Sequence, residues 1–462
     1  MRPQTQDGGE SNRKTKGLHV KTTLIRNGRV IDPSQGIDQV TDILIRDGKI
    51  DAVGPCVEPA DDEIDAAGMI VCPGLIDMHV HLREPGGEES ETIATGAEAA
   101  VAGGVTSVAC MPNTTPAIDT RDVAEFVTLQ AKRAGWANVF PIGAVTKGRK
   151  GEELAELGQL VEGGAVGFTD DGSPIDSAEI MRRALQYAKM FNRPILTHSE
   201  VRELTKDGVM NEGFVSMKLG LPGMPAVAEE IMIARDIMLA EVTGGRLHVL
   251  HASTAGAVDL VRQGKKRGIA VTTEACPHHF LLTDECMEKF DSNYKMSPPL
   301  RTEADVREII GGLVDGTIDA LCTDHAPHAP ERKALELTEA PMGIIGLETL
   351  IPLCVHGLIE PGYLDWPEVI EKLTISPARI LGINKGTLRP GADADVTIID
   401  PDVEWVIDPT KFRSKSRNCP FAGWPVNGRA HTVLVGGVVR YSLDQKKARV
   451  GQENRRTKAA SA

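Results

Sequence analysis

No stretch of the chain stays apolar for the roughly 18 residues that a membrane-spanning helix needs, so no span is expected. Residues 1–18, MRPQTQDGGESNRKTKGL, contain no apolar core of the kind a secretory signal carries, and so polar a start reads as a loose tail. Paired cysteines are missing as well: the eight in the sequence are scattered singly, with no CxxC. That spacing excludes a zinc ribbon and offers no disulfide framework, which leaves reduced thiols in a cytoplasmic protein as the expectation. Nor is there an excess of positive charge. With 51 Lys+Arg against 65 Asp+Glu, a net charge of −14, the chain lacks the basic face that nucleic acid or an anionic membrane surface requires.

What is present is an ordinary globular composition, 41% hydrophobic and 25% charged, enough to bury a sizeable core. The 462 residues exceed a usual single domain but suit a barrel of alternating strands and helices. Short β-branched runs recur at Ile70–His81, Val105–Met111, Asn138–Val145, Ala165–Asp171, Pro194–His198, Arg246–His251, Ile269–Cys276 and Ile318–Asp324. Between them lie amphipathic segments such as Glu91–Ala102, Arg121–Ala134, Ser177–Phe191, Ala226–Glu241 and Gly256–Arg267. Strand then helix, repeated, predicts an α/β fold, a TIM-like (β/α)8 barrel over residues 73–385, with chemistry gathered at the C-terminal strand ends.

The flanks follow another rule. Thr22–Arg26, Ile43–Arg46 and Ile50–Val53 alternate, separated by Asn27-Gly28 and Asp47-Gly48, both hairpin signals. The C-terminal part repeats the idiom at Ala394–Ile399, Thr432–Val435 and Val438–Tyr441, the last two joined by Gly436-Gly437. Residues 19–72 and 386–445 therefore pair into one small β-sandwich domain, and residues 446–462 read as a second polar tail.

The clearest chemical signal is His79-Val80-His81. On a strand, side chains at i and i+2 share a face, so both imidazoles point into one space, as a zinc-like cation requires. Alone the pair is weak, since two histidines on a strand are more often a structural feature. Other strand ends carry ligand types too: Thr169-Asp170-Asp171-Gly172, Thr197-His198, His248-Val249-Leu250-His251 and Thr323-Asp324-His325. Each has a bland alternative, such as a turn-forming Asp before Gly or a core histidine at His248. Five of the eight expected strand ends sharing this chemistry points to a bound metal, and histidine with carboxylate, without thiolate, suits zinc. Cys72, Cys110 and Cys322 lie in strand-like runs and read as small core residues; His278-His279 is as well explained by a polar rim as by a pocket wall. The polar segment Pro327–Glu339 reads as a lid.

The motifs PGLIDMHVHLREPG (Pro73–Gly86), GFTDDG (Gly167–Gly172), THSE (Thr197–Glu200), HVLHAST (His248–Thr254) and CTDHAPH (Cys322–His328) resemble the cyclic amidohydrolases, and more narrowly the bacterial type I dihydroorotases. GTLRPGADADVTIID (Gly386–Asp400) resembles the C-terminal sandwich segment of that superfamily, and the likeness runs from about Val20 to Tyr441. It implies two zinc ions, one held by His79, His81 and Asp324, the other by His198 and His251, with Asp171 rather than Asp170 bridging. Hydantoinases and dihydropyrimidinases bridge with a carbamylated lysine, and Gly167–Gly172 contains no lysine. The implied reaction is the reversible cyclisation of N-carbamoyl-L-aspartate to (S)-dihydroorotate through a metal-activated hydroxide, with Asp324 as proton acceptor and donor.

The likeness also implies that Arg83, Asn113 and His328 grip the substrate carboxylate and that Met342-Gly343 contacts the ring. The bland alternative for Arg83 is a surface ion pair with Glu84. Two departures from the family pattern stand out: Ser297 where asparagine is usual, and Met342 where phenylalanine is. Ser297 offers one polar atom where the amide has two, which weakens or hydrates that contact. Allantoinase, dihydropyrimidinase, or an inactive relative scaffolding aspartate transcarbamoylase are the competing readings. Arg83, Asn113 and the aspartate bridge weigh against the first two, and the six filled ligand positions against the third. Relatives form homodimers or bind a transcarbamoylase, and the sequence leaves that choice open.

Overall fold

The computed structural model describes residues 21–444; the tails expected at 1–18 and beyond Gln445 lie outside them. Where the β-branched runs are buried on both faces they form parallel strands and read as unbroken apolar stretches. Leu75–Val80, Val105–Cys110 and Asn138–Pro141 pair parallel in one sheet; Ile195–Thr197, Leu247–Val249, Val271–Ala275 and Ala320–Leu321 pair parallel in another. Single parallel bridges connect them, Gly143 to Phe168 and Phe168 to Ile195 on one side, Val80 to His325 on the other. Followed in this order, the segments neighbour one another in chain sequence and the last returns to the first. Helices including Ile93–Ala102, Arg121–Ala134, Ala178–Lys189, Ala226–Thr243, Ala255–Lys266 and Glu303–Val314 fall between them, giving an α/β architecture. Among the described residues no helix is long and apolar enough to cross a membrane.

The strands are shorter than the runs that predict them, Asn138–Val145 keeping only Asn138–Pro141, and two shrink most. Ala165–Asp171 contributes only the bridge at Phe168, and Ile318–Asp324 keeps only Ala320–Leu321. Side chains take over the backbone groups there. Asp170 Oδ1 accepts from Val145 N and Thr146 N at 2.9 and 3.0 Å, and Asp77 Oδ1 accepts from Thr323 N at 3.3 Å. A third run, Ile70–His81, divides at Gly74 into Ile70–Pro73 and Leu75–Val80, which belong to different sheets. A Cβ at Gly74 would overlap the Thr106 side chain, so only glycine lets the chain cross from one sheet to the other there.

Ile70–Pro73 runs parallel to Thr22–Asp32 and antiparallel to Val396–Val406, and so joins both chain ends in one mixed eight-stranded sheet. Its own core gathers Ile25, Val30, Ile43, Val71, Val396 and Leu434, apart from the large core among the parallel strands and helices. Asp47-Gly48 and Gly436-Gly437 do turn hairpins, with positive φ at all four residues. Asn27-Gly28 does not. It is an irregularity inside the continuous strand Thr22–Asp32, where Asn27 takes φ 62°, and the turn falls instead between Asp32 and Ile37.

Helix Ile93–Ala102 starts on a capping box of Thr92 and Thr95 and ends at Gly103, against the Leu347 carbonyl. A Cβ at Gly103 would overlap that carbonyl, and backbone cannot yield as a flexible side chain does. Gly103→Ala is expected to lower stability by about 1–3 kcal/mol or more, read as a shifted midpoint in chemical denaturation; an unchanged midpoint would refute this packing.

Candidate metal centre

Three residues at strand ends hold left-handed backbone that side chains rarely adopt: Arg83 (φ 61°), His251 (φ 31°) and Asp324 (φ 49°). Each turns its side chain toward the same space as His79, His81, Asp171 and His198. Asp171 is at the middle of it. Its Oδ2 lies 3.6 Å from His79 Nε2 and 3.5 Å from His81 Nε2; its Oδ1 lies 3.4 Å from His198 Nδ1 and 3.6 Å from His251 Nε2. Asp324 Oδ1 completes one side, 3.0 Å from His81 Nε2 and 3.4 Å from His79 Nε2. The neighbouring aspartate is otherwise engaged: Asp170 accepts from the Val145 and Thr146 amides and from the Thr146 hydroxyl.

The outer nitrogens of three histidines are anchored, which determines the inner ones. His79 Nδ1 lies 2.6 Å from Glu274 Oε1, His81 Nδ1 lies 2.9 Å from Asn113 Oδ1, and His198 Nε2 lies 3.1 Å from Glu200 Oε2. Each acceptor holds a proton on that outer nitrogen, so the inner nitrogen on the Asp171 side is the one a bound ion would take in place of a proton. Burial pushes the Asp171 carboxyl up, but His79, His198 and His251 hold it well below the usual carboxylate range.

Whether these residues fit a metal pair can be judged from their unspent valences. His79 Nε2 and Asp171 Oδ1 are buried with no hydrogen-bond partner among the described residues. Left so, each costs about 1–3 kcal/mol; an ion bound between them satisfies both. Two triads, His79–His81–Asp171 and Asp171–His198–His251, each offer one donor per residue within 4.8 Å of one another, and share Asp171. Nitrogen and oxygen donors of this kind fit zinc. Cys276, His278 and His279 form a further close group. His278 and His279 are fully buried, neither lines the cavity described next, and His279 Nε2 donates to Pro298 O at 3.1 Å, so they are interior rather than rim residues.

The centre opens into a cavity of about 700 Å³ whose wall includes Arg83, Asn113, Ser297, His328, Met342 and Gly343. Arg83 does not pair with Glu84, which instead accepts from Ile93 N and Gln130 Nε2. Its Nε donates to Pro327 O at 3.1 Å, and burial lowers the guanidinium to about 10, still charged at neutral pH. His328 Nε2 donates to Met342 O at 2.7 Å; burial lowers the ring to about 3, so it is neutral. To donate to a substrate carboxylate, that nitrogen must give up Met342. The segment expected to be a lid is pinned from beneath: buried Lys295 donates to Leu337 O and Thr338 O, and buried Lys333 to Pro341 O and Gly343 O.

Sequence reasoning missed several residues that hold these groups. Glu274 is fully buried and touches His79, His248 and the backbone of His251; the signal was a lone charge in the run Val271–Ala275, whose neighbours are buried. His248, a strand-end histidine whose bland alternative was a core position, is wholly buried, with Nδ1 2.8 Å from Thr272 Oγ1 and Nε2 3.3 Å from Glu274 Oε2. Asp77 accepts from His79 N at 3.1 Å and from Thr323 Oγ1 at 2.5 Å. Arg149 Nη2 donates to Asp171 O at 2.6 Å. Asn418, far along the chain, donates to Ala326 O and Gly343 O and accepts from His328 N. Nothing in its local sequence marks it.

A dihydro-orotase-like family model matches residues 68–257, and an amidohydrolase family model matches residues 278–441. The dihydroorotase of Geobacter sp. (strain M21) is 53% identical over 422 residues, 90% of this chain and 98% of that protein. The dihydroorotase of Pelotomaculum thermopropionicum is 53% identical over 417 residues, 90% of this chain and 97% of that protein. Among solved structures, an L-hydantoinase (dihydropyrimidinase) from Arthrobacter aurescens superimposes with a TM-score of 0.82 at 27% identity, covering 90% of this chain and 95% of its own.

Proposed function

The chain belongs to the dihydroorotase family of amidohydrolases, and from that premise we propose that its cavity closes N-carbamoyl-L-aspartate into (S)-dihydroorotate and reopens the ring, a step of pyrimidine biosynthesis. The observation that carries the reading is a single wall on which a charged Arg83 and the Asn113 amide face the same cavity as Asp171, Asp324 and the histidines. A carboxylated cyclic amide needs both: cations and amides for its carboxylate, and a hydrolytic centre for its ring.

His79, His81 and Asp324 would hold one zinc ion, His198 and His251 the other, with Asp171 between them; the distances, unspent lone pairs and anchored outer nitrogens above support this assignment. When bound, such a pair supplies Lewis acidity at a carbonyl and water acidified to near neutrality. The chain's own residues do the rest. Arg83 and Asn113 orient the substrate by its carboxylate, so that the ring amide meets the centre in one pose. Asp324, ionised beside His79 and His81, takes a proton and returns it to the leaving amide nitrogen. In the synthetic direction it carries the proton the other way. All these side chains come from one chain. The same reading takes the cycle of parallel strands as a (β/α)8 barrel and the mixed sheet built from both chain ends as a separate small β-domain; the chain-ordered bridges and the two distinct cores support it.

The competing reading, ring opening of hydantoin or a dihydropyrimidine, draws on the solved structures. Against it, an aspartate rather than a lysine stands among the histidines, and half-buried Arg83, whose side chain bonds Pro327 O, has no carboxylate partner among the described residues. The test is a spectrophotometric comparison of dihydroorotate, allantoin and hydantoin, with and without chelator. Dihydroorotate is expected to be the preferred substrate and chelation to stop its turnover; preference for either other ring, or activity indifferent to chelator, overturns the reading. Arg83→Met is expected to raise KM for dihydroorotate about 10- to 100-fold, the worth of a charge-assisted pair of hydrogen bonds. An unchanged KM removes Arg83 from substrate binding.

A further inference from the structure

Of the anchors on the histidines' outer nitrogens, two are carboxylates, Glu274 on His79 and Glu200 on His198. The anchor of His81 is different: a neutral amide, Asn113 Oδ1, at 2.9 Å from Nδ1. An amide has two ends of opposite character, an acceptor and a pair of donors. With Oδ1 spent on His81, Nδ2 is turned away from the ring. It lies on the cavity side, where a Cβ added to Gly172 would sit 3.5 Å from it, and it makes no hydrogen bond among the described residues. Asn113 is placed there by the sharp exit from strand Val105–Cys110 through Met111-Pro112.

From this geometry we infer that Asn113 is a positioning residue for His81 as well as a contact for the substrate carboxylate, one amide serving the metal ligand with its oxygen and the anion with its nitrogen. The second half rests on the function proposed above; the first does not. The oxygen holds a proton on His81 Nδ1 and so makes Nε2, 3.0 Å from Asp324 Oδ1 and 3.5 Å from Asp171 Oδ2, the nitrogen that an ion would take. Were the amide reversed, its NH2 would face Nδ1, the proton would move to Nε2, and His81 could not ligate. An anion drawing on Nδ2 polarises the same amide and strengthens its oxygen as an acceptor. Binding at the two ends is then mutually supportive, and by linkage each must aid the other equally.

Two substitutions separate the ends. Asn113→Asp can only accept: it keeps the His81 anchor and sets a carboxylate against the substrate's own. Asn113→Leu has nearly the same shape and neither function. Metal-free parent and variants are titrated with Zn2+ against a chromogenic chelator, and KM and kcat for dihydroorotate are measured on the zinc-loaded proteins. Zinc affinity of Asn113→Asp is expected to stay within about threefold of the parent, while that of Asn113→Leu falls about 10- to 100-fold, the usual cost of losing such an anchor. KM is expected to rise in both. Zinc affinity in Asn113→Leu equal to the parent's overturns the positioning role. So does a loss in folded Asn113→Asp as large as in Asn113→Leu, a comparison that circular dichroism keeps honest and that Asn113→Ala replaces if the leucine variant does not fold. A parent that binds zinc but ignores dihydroorotate refutes the proposed reaction and leaves the zinc comparison standing.

Discussion

Asp324→Asn is expected to lower kcat for dihydroorotate by about 10²- to 10⁴-fold, the span associated with a lost general acid–base group. The side chain is nearly isosteric and Asn tolerates left-handed backbone, so the φ of 49° at this position is kept without the strain that alanine would add. What changes is proton chemistry. Burial alone would raise the Asp324 carboxyl, but His79 and His81 beside it hold it well below the ordinary range, so it is an ionised base across neutral pH. An amide cannot take the proton at all. Asp324→Ala goes further, removing the oxygen 3.0 Å from His81 Nε2 as well, and its turnover is expected to vanish. Zinc content measured alongside separates the two losses. A folded Asp324→Asn protein turning over within tenfold of the parent would falsify the role as base.

The second large effect is expected at a residue that never meets substrate. Glu274 is wholly buried, with Oε1 at 2.6 Å from His79 Nδ1 and accepting from His251 N at 3.3 Å, and Oε2 at 3.3 Å from His248 Nε2. It therefore ties a ligand of one proposed ion to the backbone that presents a ligand of the other. Removing one partner of a buried charged network leaves the others desolvated and unpaired, at about 3–5 kcal/mol. Glu274→Ala is expected to lose that much stability in chemical denaturation and to bind zinc about 10- to 100-fold more weakly. Glu274→Gln keeps an acceptor for His79 and should fall between. If both variants melt and bind zinc as the parent does, the carboxylate is a bystander.

Much of this centre was legible in the sequence because strand chemistry is periodic. His79 and His81 converge as a spacing of two requires, and Asp171, His198, His251 and Asp324 follow four other runs of the same series, the seventh alone of the last five giving none. The order of the parallel segments followed from the same alternation. What the sequence hid falls into two kinds. Strand extents were overestimated at Ala165–Asp171 and Ile318–Asp324, because β-branched composition does not reveal that Asp170 and Asp77 will claim backbone amides that a ladder would otherwise use. Asn27-Gly28 has the residues of a tight turn but sits inside a strand, where tertiary pairing with Ile37–Arg46 overrides local preference. The other kind is distance along the chain. Asn418 bonds Gly343 and Ala326, and Lys295 bonds Leu337 and Thr338, contacts that no local pattern encodes. Glu274 was the exception, visible as a charge in a buried run and passed over.

The strand Ile70–Pro73 has a bearing on how the molecule is made. Cys72 meets Thr397 across a separation of 325 residues, so this strand waits for its partner while nearly all the catalytic segment is synthesised. Without Val396–Val406, the pairing of Ile70–Pro73 with Thr22–Asp32 has one edge bare, and exposed edges of that sort recruit strangers. Only when Val396–Val406 emerges is the edge covered. Truncation near residue 390 therefore spares every proposed zinc ligand and still leaves a protein prone to aggregate.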